Sequence, residues 1–200
     1  VKYLGVILDE NMTWRKHVTY LIKKIHNFIG IIYRKRYAIP SYCKRNLYFA
    51  VIYSYIIYCI EVYGAAKMKI LNQLIVKCNT ALRLLQDKPK STPILILYKK
   101  FNTLPVHLLH RFFIIKIMHR FVYSRQDLPS SLSHIFTSNN EFHVHDTRYK
   151  HHFSMNNVIV NNSISYLGPS LWFNLPSRIK NCSSLSKFLL LYKTELYKLL

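Results

Sequence analysis

Acidic residues are scarce in this 200-residue chain, where 8 Asp and Glu stand against 29 Lys and Arg and the formal net charge is +21. The acids are also scattered, and only Asp9 and Glu10 stand close together. Metal-dependent polymerases and nucleases hold two cations with clustered carboxylates, so this scarcity argues against a complete enzyme of either kind. A positive charge of this size instead favours a polyanionic partner, most commonly nucleic acid.

Glycine and proline are also few, at 4 and 7 residues, and this low content favours long helices over a turn-rich β fold. Half of the residues are hydrophobic, which is enough for a substantial core and argues against disorder. The sequence therefore predicts one mostly helical domain, or a larger domain with a small appendage.

The four cysteines have no CxxC spacing and no paired histidine, so we expect no structural zinc site. Most of them fall within apolar patterns typical of small buried side chains in a reducing compartment. Four histidines stand close together, but no acid or cysteine completes a plausible ligand set, so structural or phosphate-facing roles are expected for His143, His145, His151 and His152. The sequence also lacks a Gly-rich phosphate loop and the spacing of a catalytic triad.

Apolar periodicity predicts a short strand at the N-terminus followed by a series of amphipathic helices. The strand covers 1–8, and Gly64 is expected as the left-handed residue that ends the second helix. The C-terminal part carries weak strand patterns over 144–166 and turn-rich sequence over 163–176. The helices are predicted at about 13–36, 41–62, 70–85, 93–101, 106–123 and from a Ser184 cap onward.

The first of these helices has an apolar face about 120° wide and an opposite side that carries a line of cations. We call this line, formed by Lys16, Lys23 and Arg34, the basic stripe. Because no acid lies between residues 16 and 36, the stripe repels itself, which favours contact with nucleic acid over simple solvation. Tyr33 and Tyr37, which flank the cluster 34–36, are candidates for base stacking, although aromatics at helical spacing are more often core.

Residues 46–66 carry a single charge, Glu61, and are long enough to span a bilayer. Five tyrosines and Ser54 make the segment polar for a membrane core, so a buried helix is favoured. A membrane-associated helical protein that spans at about 46–66 is the alternative. A stand-alone helix-turn-helix regulator is a further alternative, but no predicted helix shows the polar side chains that read base edges.

Several short motifs occur in order along the chain, and together they resemble the region after the palm in non-LTR (LINE-type, jockey-like) retrotransposon reverse transcriptases. The match begins with Tyr3-Leu4-Gly5-Val6 and Asp9, followed by Trp14 and His17 ahead of the lysine-rich helix. The later motifs are Tyr58-Cys59-Ile60-Glu61-Val62-Tyr63-Gly64, Asn79 with Arg83, Asn102-Thr103-Leu104-Pro105-Val106, Thr147-Arg148, and Leu171-Trp172 with Leu175-Pro176.

Several positions depart from the family pattern and indicate a diverged copy. Cys59 replaces a glycine, Tyr63 replaces a tryptophan, and Asp146 replaces an asparagine. Phe173 displaces the asparagine that usually follows the tryptophan. The family's polymerase site is an Asp-Asp turn in the palm, and no Asp-Asp pair exists in this sequence, so no catalytic residue is carried over.

The resemblance implies a mostly α fold, in which a short strand precedes a helical thumb-like bundle and a small mixed C-terminal subdomain ends in a helix. Residues 1–12 would be the tail of the palm and its primer-grip strand, and 13–126 the thumb-like domain. A linker over 127–147 and a small C-terminal domain over 148–200 would follow.

The expected function is that of a non-catalytic fragment of an RNA-directed DNA polymerase that grips template–primer nucleic acid. Its expected partners are RNA, DNA or an RNA–DNA duplex, and the missing palm, fingers and endonuclease of the parent protein. No cofactor is expected, since the parent would hold Mg²⁺ in the missing palm. The predicted nucleic-acid contacts are Leu4, Gly5, Lys16, Lys23, Arg34, Lys35, Arg36, Lys44, Arg45, Lys77 and Arg83.

The chain starts at Val1 and carries no signal-peptide pattern. We therefore expect it to come from the middle of a longer intracellular protein, located in the nucleus, the cytoplasm or both. Secretion is not expected, and neither is membrane association.

Overall fold

The computed structural model describes residues 1–133, 136 and 163–200. Within these residues the chain is mostly helical, with a short β element at the N-terminus and a helix at the C-terminus, which confirms the predicted fold class. The chain divides into two compact units, residues 1–110 with 197–200, and residues 111–196. Most of the predicted linker, the weak strands predicted over 144–166 and the start of the predicted C-terminal domain lie outside the described residues.

The N-terminal segment forms a hairpin and not the single strand that was predicted over 1–8. Strands β1 (Lys2–Tyr3) and β2 (Val6–Ile7) pair antiparallel, with Lys2 opposite Ile7 and Tyr3 opposite Val6. The two residues between the strands reverse the chain, because Leu4 (φ 43°) and Gly5 (φ 82°) both have left-handed backbone conformations. The mostly apolar residues on either side of so short a turn resemble one continuous strand in sequence, which explains the error.

Helix α1 (Arg15–Lys35) packs against α5 (Met68–Leu85), and together they form much of the core of the first unit. The apolar side of α1 is buried as the periodicity predicted. The helix begins two residues after the predicted cap, Thr13, because Trp14 between them is left-handed (φ 63°) and buried. The buried apolar residues of the two helices are Val18, Leu21, Ile25 and Ile32 on α1, and Leu71, Leu74, Cys78, Ala81, Leu82 and Leu85 on α5.

The helix predicted over 41–62 is interrupted. It consists of α2 (Ser41–Leu47), a π-helical segment (Tyr48–Tyr53), α3 (Ser54–Ile57) and α4 (Ile60–Tyr63). The buried residues recur at every fourth position, which is slightly more than one α-helical turn of about 3.6 residues. In a regular α-helix they would therefore shift gradually around the axis, and the wider π turns keep them on one side. They are Tyr48, Ile52, Ile56 and Ile60. None of the helices in the described ranges is both long and apolar enough to cross a membrane.

Cys59 separates α3 from α4 and has a left-handed backbone (φ 56°) at the position where the resemblance places a glycine. This conformation costs an L-residue roughly 1 kcal/mol, and glycine avoids that cost. We therefore expect Cys59→Gly to have a free energy of unfolding about 1 kcal/mol higher than Cys59→Ala, which also lacks the thiol. Urea denaturation compares the two variants.

The control for this comparison is Cys43, which lies inside the right-handed helix α2. There the order should reverse, with Cys43→Gly less stable than Cys43→Ala by about 0.5–1 kcal/mol. Equal stabilities for the two Cys59 variants would mean that the backbone at this position carries no strain.

Gly64 follows α4 but does not have the left-handed conformation predicted for it, since its φ is −63°. Its importance lies in close packing. A Cβ on Gly64 would lie 2.5 Å from Cγ of His110 and would also collide with the carbonyl oxygen of Ile60. The next two predicted helices are confirmed as α6 (Ile94–Phe101) and α7 (Val106–Tyr123).

The described part of the second unit contains the end of α7, a 3₁₀ turn (Arg125–Asp127) and four helices. These are α8 (Ser130–Ser133), α9 (Ile164–Phe173), α10 (Ser177–Lys180) and α11 (Leu185–Tyr197). The last confirms the helix predicted after Ser184. The core of the unit includes His119, whose ring contacts Phe188 (centroids 4.3 Å apart) and whose Nε2 lies 2.8 Å from the carbonyl oxygen of Cys182.

Helix α9 occupies most of the region that was predicted to be turns over 163–176. Gly168 and Pro169 are typical turn residues, yet both lie inside this helix and are buried. A Cβ on Gly168 would lie 2.7 Å from Cε1 of Phe136, so glycine is required there for packing and not for a turn. Tertiary packing thus overrides the local preference of this segment.

Candidate nucleic-acid interface

The basic stripe lies along the exposed side of α1. Lys16, Lys23 and Arg34 are all exposed, while the opposite side of the helix is buried against the core. Their separations of 7 and 11 residues are close to two and three helical turns, so the three side chains follow one line. At about 1.5 Å per residue, the line from Lys16 to Arg34 is about 27 Å long.

Few acids offset this charge in the first unit, which has 4 acidic residues against 19 lysines and arginines. Asp9 accepts hydrogen bonds from the backbone N–H of Thr13 (2.6 Å) and from its hydroxyl (2.9 Å). The backbone N–H is the main cause that holds the pKa of the Asp9 carboxyl below its ordinary value, and Lys16 contributes weakly. Asp9 therefore offsets part of the charge at the Lys16 end of the stripe.

The C-terminal end of α1 holds a second concentration of cations. Arg36 stacks on two tyrosines, with its guanidinium carbon 4.4 Å from the ring centroid of Tyr33 and 4.5 Å from that of Tyr37. It also donates a hydrogen bond of 2.9 Å to the Tyr37 hydroxyl, the main cause that raises the pKa of Arg36 above its ordinary value. Lys35 beside it is exposed. The guanidinium therefore stays charged and is held in place by aromatic rings.

Burial in the core was the commoner outcome expected for aromatics at helical spacing, but Tyr33 and Tyr37 do not belong to the core. They are 60% and 86% exposed, and Tyr42 is 80% exposed. The rings of Tyr33 and Tyr37 hold Arg36 at the protein surface. The two tyrosines therefore contribute to the cationic cluster whether or not a base stacks on them.

A groove of about 860 Å³, which we call the basic groove, lies between the end of α1, the start of α2 and the end of α5. Lys44 in its lining is buried and places Nζ 2.5 Å from Oδ2 of Asp87, so its charge is already paired. Arg83 is half-buried and donates to the carbonyl oxygen of Thr92 (3.3 Å). Lys44 and Arg83 therefore stabilise the walls of the groove. Sequence periodicity alone does not predict their partners, Asp87 and Thr92.

The other two predicted cations differ in exposure. Arg45 is exposed and lies over the ring of Phe49, at 4.8 Å from the centroid. Lys77 is half-buried on α5. The predicted residues that combine exposure with a place on α1 are therefore the basic stripe and Lys35, with Arg36 beside them.

The hairpin turn presents Leu4 to solvent. Leu4 is 73% exposed and left-handed, an uncommon combination for a large apolar residue. The hydroxyl of Tyr58 donates a hydrogen bond to the carbonyl oxygen of Leu4, and this hydrogen bond holds the turn in place. An exposed apolar residue in an unfavourable conformation is a candidate for a functional contact.

One feature that the sequence did not predict is a pocket of about 490 Å³ between the hairpin turn, the first half of α1 and residues 50–58. We call it the tyrosine pocket. It was missed because its walls come from three segments, although the close spacing of tyrosines within 46–66 was visible in the sequence. Its lining consists of Gly5, His17, Tyr20, Leu21, Ala50, Val51, Ser54, Tyr55 and Tyr58.

In the part of the chain that the structure describes, no group of three or more His, Cys, Asp or Glu is placed to hold a metal ion. The histidines His143, His145, His151 and His152 lie outside that part, as does the Thr147-Arg148 motif. Asp9 and Glu10, the one acidic pair in the sequence, line a small surface pocket together with Arg15 and Lys16.

Comparisons with protein-family models, with curated proteins and with solved structures find no match to this chain. The resemblance to non-LTR reverse transcriptases therefore rests on the sequence motifs, and it stays a prediction.

Proposed function

We propose that this chain is the non-catalytic, thumb-like part of an RNA-directed DNA polymerase from a non-LTR mobile element, and that it grips template–primer nucleic acid. The observation that carries the proposal is the division of α1 into two sides. One side is buried in the core, and the other exposes the basic stripe.

The stripe suits a sequence-independent grip. A row of cations on a rigid helix meets phosphates, which position a protein on nucleic acid without revealing the base sequence. The 27 Å line is somewhat shorter than one turn of B-form DNA, about 34 Å, so the three cations can meet phosphates within a single turn of a duplex.

The position of the hairpin also supports the proposal. The backbone N–H of Ile7 donates to Nδ1 of His17 (3.3 Å), and Nζ of Lys2 lies 5.8 Å from the ring centroid of Tyr20. The turn at Leu4 and Gly5 therefore belongs to the same surface region as the start of the stripe. In the resembled family a Tyr/Phe-Leu-Gly strand belongs to the primer-grip region, and here its counterpart, Tyr3-Leu4-Gly5, is exposed beside a row of cations.

Binding should depend strongly on salt. If Lys16, Lys23, Arg34, Lys35 and Arg36 neutralise about five phosphates, log K should fall with log salt at a slope of about −4 to −5. Fluorescence anisotropy with a labelled RNA–DNA duplex, between about 50 and 200 mM salt, measures this slope. A second duplex of unrelated sequence should give the same line, and an affinity that does not change with salt would contradict the proposal.

A further inference from the structure

We propose that the tyrosine pocket binds an unpaired nucleobase of a strand whose phosphates lie along the basic stripe. This inference rests on the proposed function and adds to it a second kind of contact, with a base and not with the backbone. Nucleic-acid proteins commonly combine cations that follow the phosphates with aromatic faces on which single bases stack.

Tyr58 is a ring that the structure holds in place in this pocket. Its hydroxyl donates to the carbonyl oxygen of Leu4, and its ring lies so close to Gly5 that a Cβ there would meet Cε1 at 3.4 Å. The side chain is nevertheless 49% exposed. Because the hydroxyl end of the ring is already held and the ring is still exposed, the side chain loses little conformational entropy when a base stacks on it.

The surroundings of Tyr20 supply the charge that a nucleotide requires. Tyr20 lies four residues after Lys16 and three before Lys23, so it sits on the stripe side of α1. The Nζ atoms of Lys2 and Lys24 lie 5.8 and 5.6 Å from its ring centroid. Among the residues that the structure describes, the pocket lining itself contains no lysine or arginine. This arrangement suits a base inside the pocket and its phosphate at the rim.

His17 also belongs to the lining. It is 1% exposed, and its Nδ1 accepts the backbone N–H of Ile7. The neutral ring therefore carries its proton on Nε2, which has no hydrogen-bond partner among the described residues. Burial lowers the pKa of His17, so the neutral form prevails at neutral pH. The ring therefore adds no charge to the lining.

The local backbone forms the remaining wall. Ala50 and Val51 belong to the π-helical segment, and Ser54 begins α3. The Ser54 hydroxyl donates to the carbonyl oxygen of Ala50 (2.7 Å), which leaves its own lone pairs available to accept a hydrogen bond from a base. Tyr55 follows the π-helical segment and belongs to the lining together with Tyr58.

The test compares two RNA–DNA duplexes that differ in one position. Both carry a single-nucleotide overhang, which holds a base in one duplex and is abasic in the other. The full chain should bind the duplex with the base at least about fivefold more tightly, since one stacked base contributes about 1 kcal/mol or more. A 2-aminopurine overhang should lose fluorescence on binding, because its base would lie against tyrosine.

Two variants and two controls assign this preference to the pocket. Tyr55→Leu and Tyr58→Leu should each reduce it, and circular dichroism checks that they fold. Tyr58→Phe keeps the ring and loses only the hydrogen bond to Leu4, so it should retain more of the preference than Tyr58→Leu. Tyr42→Leu removes an exposed tyrosine outside the lining and should also retain it.

The outcomes separate this inference from the proposed function. Salt-dependent duplex binding without any preference for the base would contradict base binding in the tyrosine pocket, but it would agree with the proposed grip on nucleic acid. A preference that survives both leucine variants would place the base elsewhere and would also overturn the inference. Failure to bind either duplex at low salt would overturn both proposals.

Discussion

Replacing Gly64 with alanine should lower the free energy of unfolding of the first unit by about 2–3 kcal/mol. The added Cβ would lie 2.5 Å from Cγ of His110 and would also meet the carbonyl oxygen of Ile60. The backbone oxygen cannot move without distorting α4, and His110 is buried and therefore confined. Overpacking of a close-packed site costs about 1–3 kcal/mol, and a site with a backbone contact belongs at the upper end.

Gly30 provides the matched control, since it is a helical glycine with open space around it. A Cβ there would meet no atom of the described residues within 4 Å, and Gly30 lies inside α1. Gly30→Ala should therefore raise the free energy of unfolding by about 0.5–1 kcal/mol, as alanine is the better helix former. Changes of the same sign in the two variants would contradict the packing argument.

The two tryptophans allow the first unit to be followed alone. Trp14 is buried in the first unit and Trp172 belongs to the second. In a Trp172→Phe background, the fluorescence of Trp14 reports urea unfolding of the first unit for both glycine variants. The two transitions should then be displaced in opposite directions from that of the parent protein.

Long amphipathic helices were the most predictable part of this fold. The predicted limits of α1, α5, α6, α7 and α11 agree with the structure to within a few residues. On α1, α5 and α11 the prediction rests on an apolar face that repeats over several turns. The errors fall where backbone conformation or packing decides the outcome. They concern the left-handed turn at Leu4 and Gly5, the break at Cys59, and Pro169 inside a helix.

The same distinction applies to the candidate site. The basic stripe could be predicted because one helix carries all of it, and helical geometry relates its members directly. The pairing of Lys44 with Asp87 joins residues 43 positions apart, and the hydrogen bond from Tyr58 to Leu4 joins residues 54 positions apart. Such contacts depend on tertiary structure. For this reason Lys44 stands among the predicted nucleic-acid contacts, and the tyrosine pocket could not be predicted.

Reversing the basic stripe with Lys16→Glu, Lys23→Glu and Arg34→Glu should weaken binding to an RNA–DNA duplex by at least about 100-fold at low salt. The change removes about three phosphate contacts and places carboxylates opposite the phosphates. The salt dependence should weaken as well, from a slope of about −4 to −5 to about −2, since each lost contact removes roughly 0.9 from it. The helix should remain folded, because all three side chains are exposed. Anisotropy titrations and circular dichroism measure the two properties.

A second triple variant separates the position of the charges from their number. Lys67→Glu, Lys69→Glu and Lys90→Glu change three exposed lysines that do not belong to α1 and alter the net charge by the same amount. A general attraction between a basic protein and a polyanion would respond alike to both triples. A grip through α1 responds mainly to the first, so the control triple should retain most of the affinity and a salt slope close to that of the parent protein. Equal losses in the two triples would mean that the stripe contributes only to the overall field and does not lie on the nucleic acid.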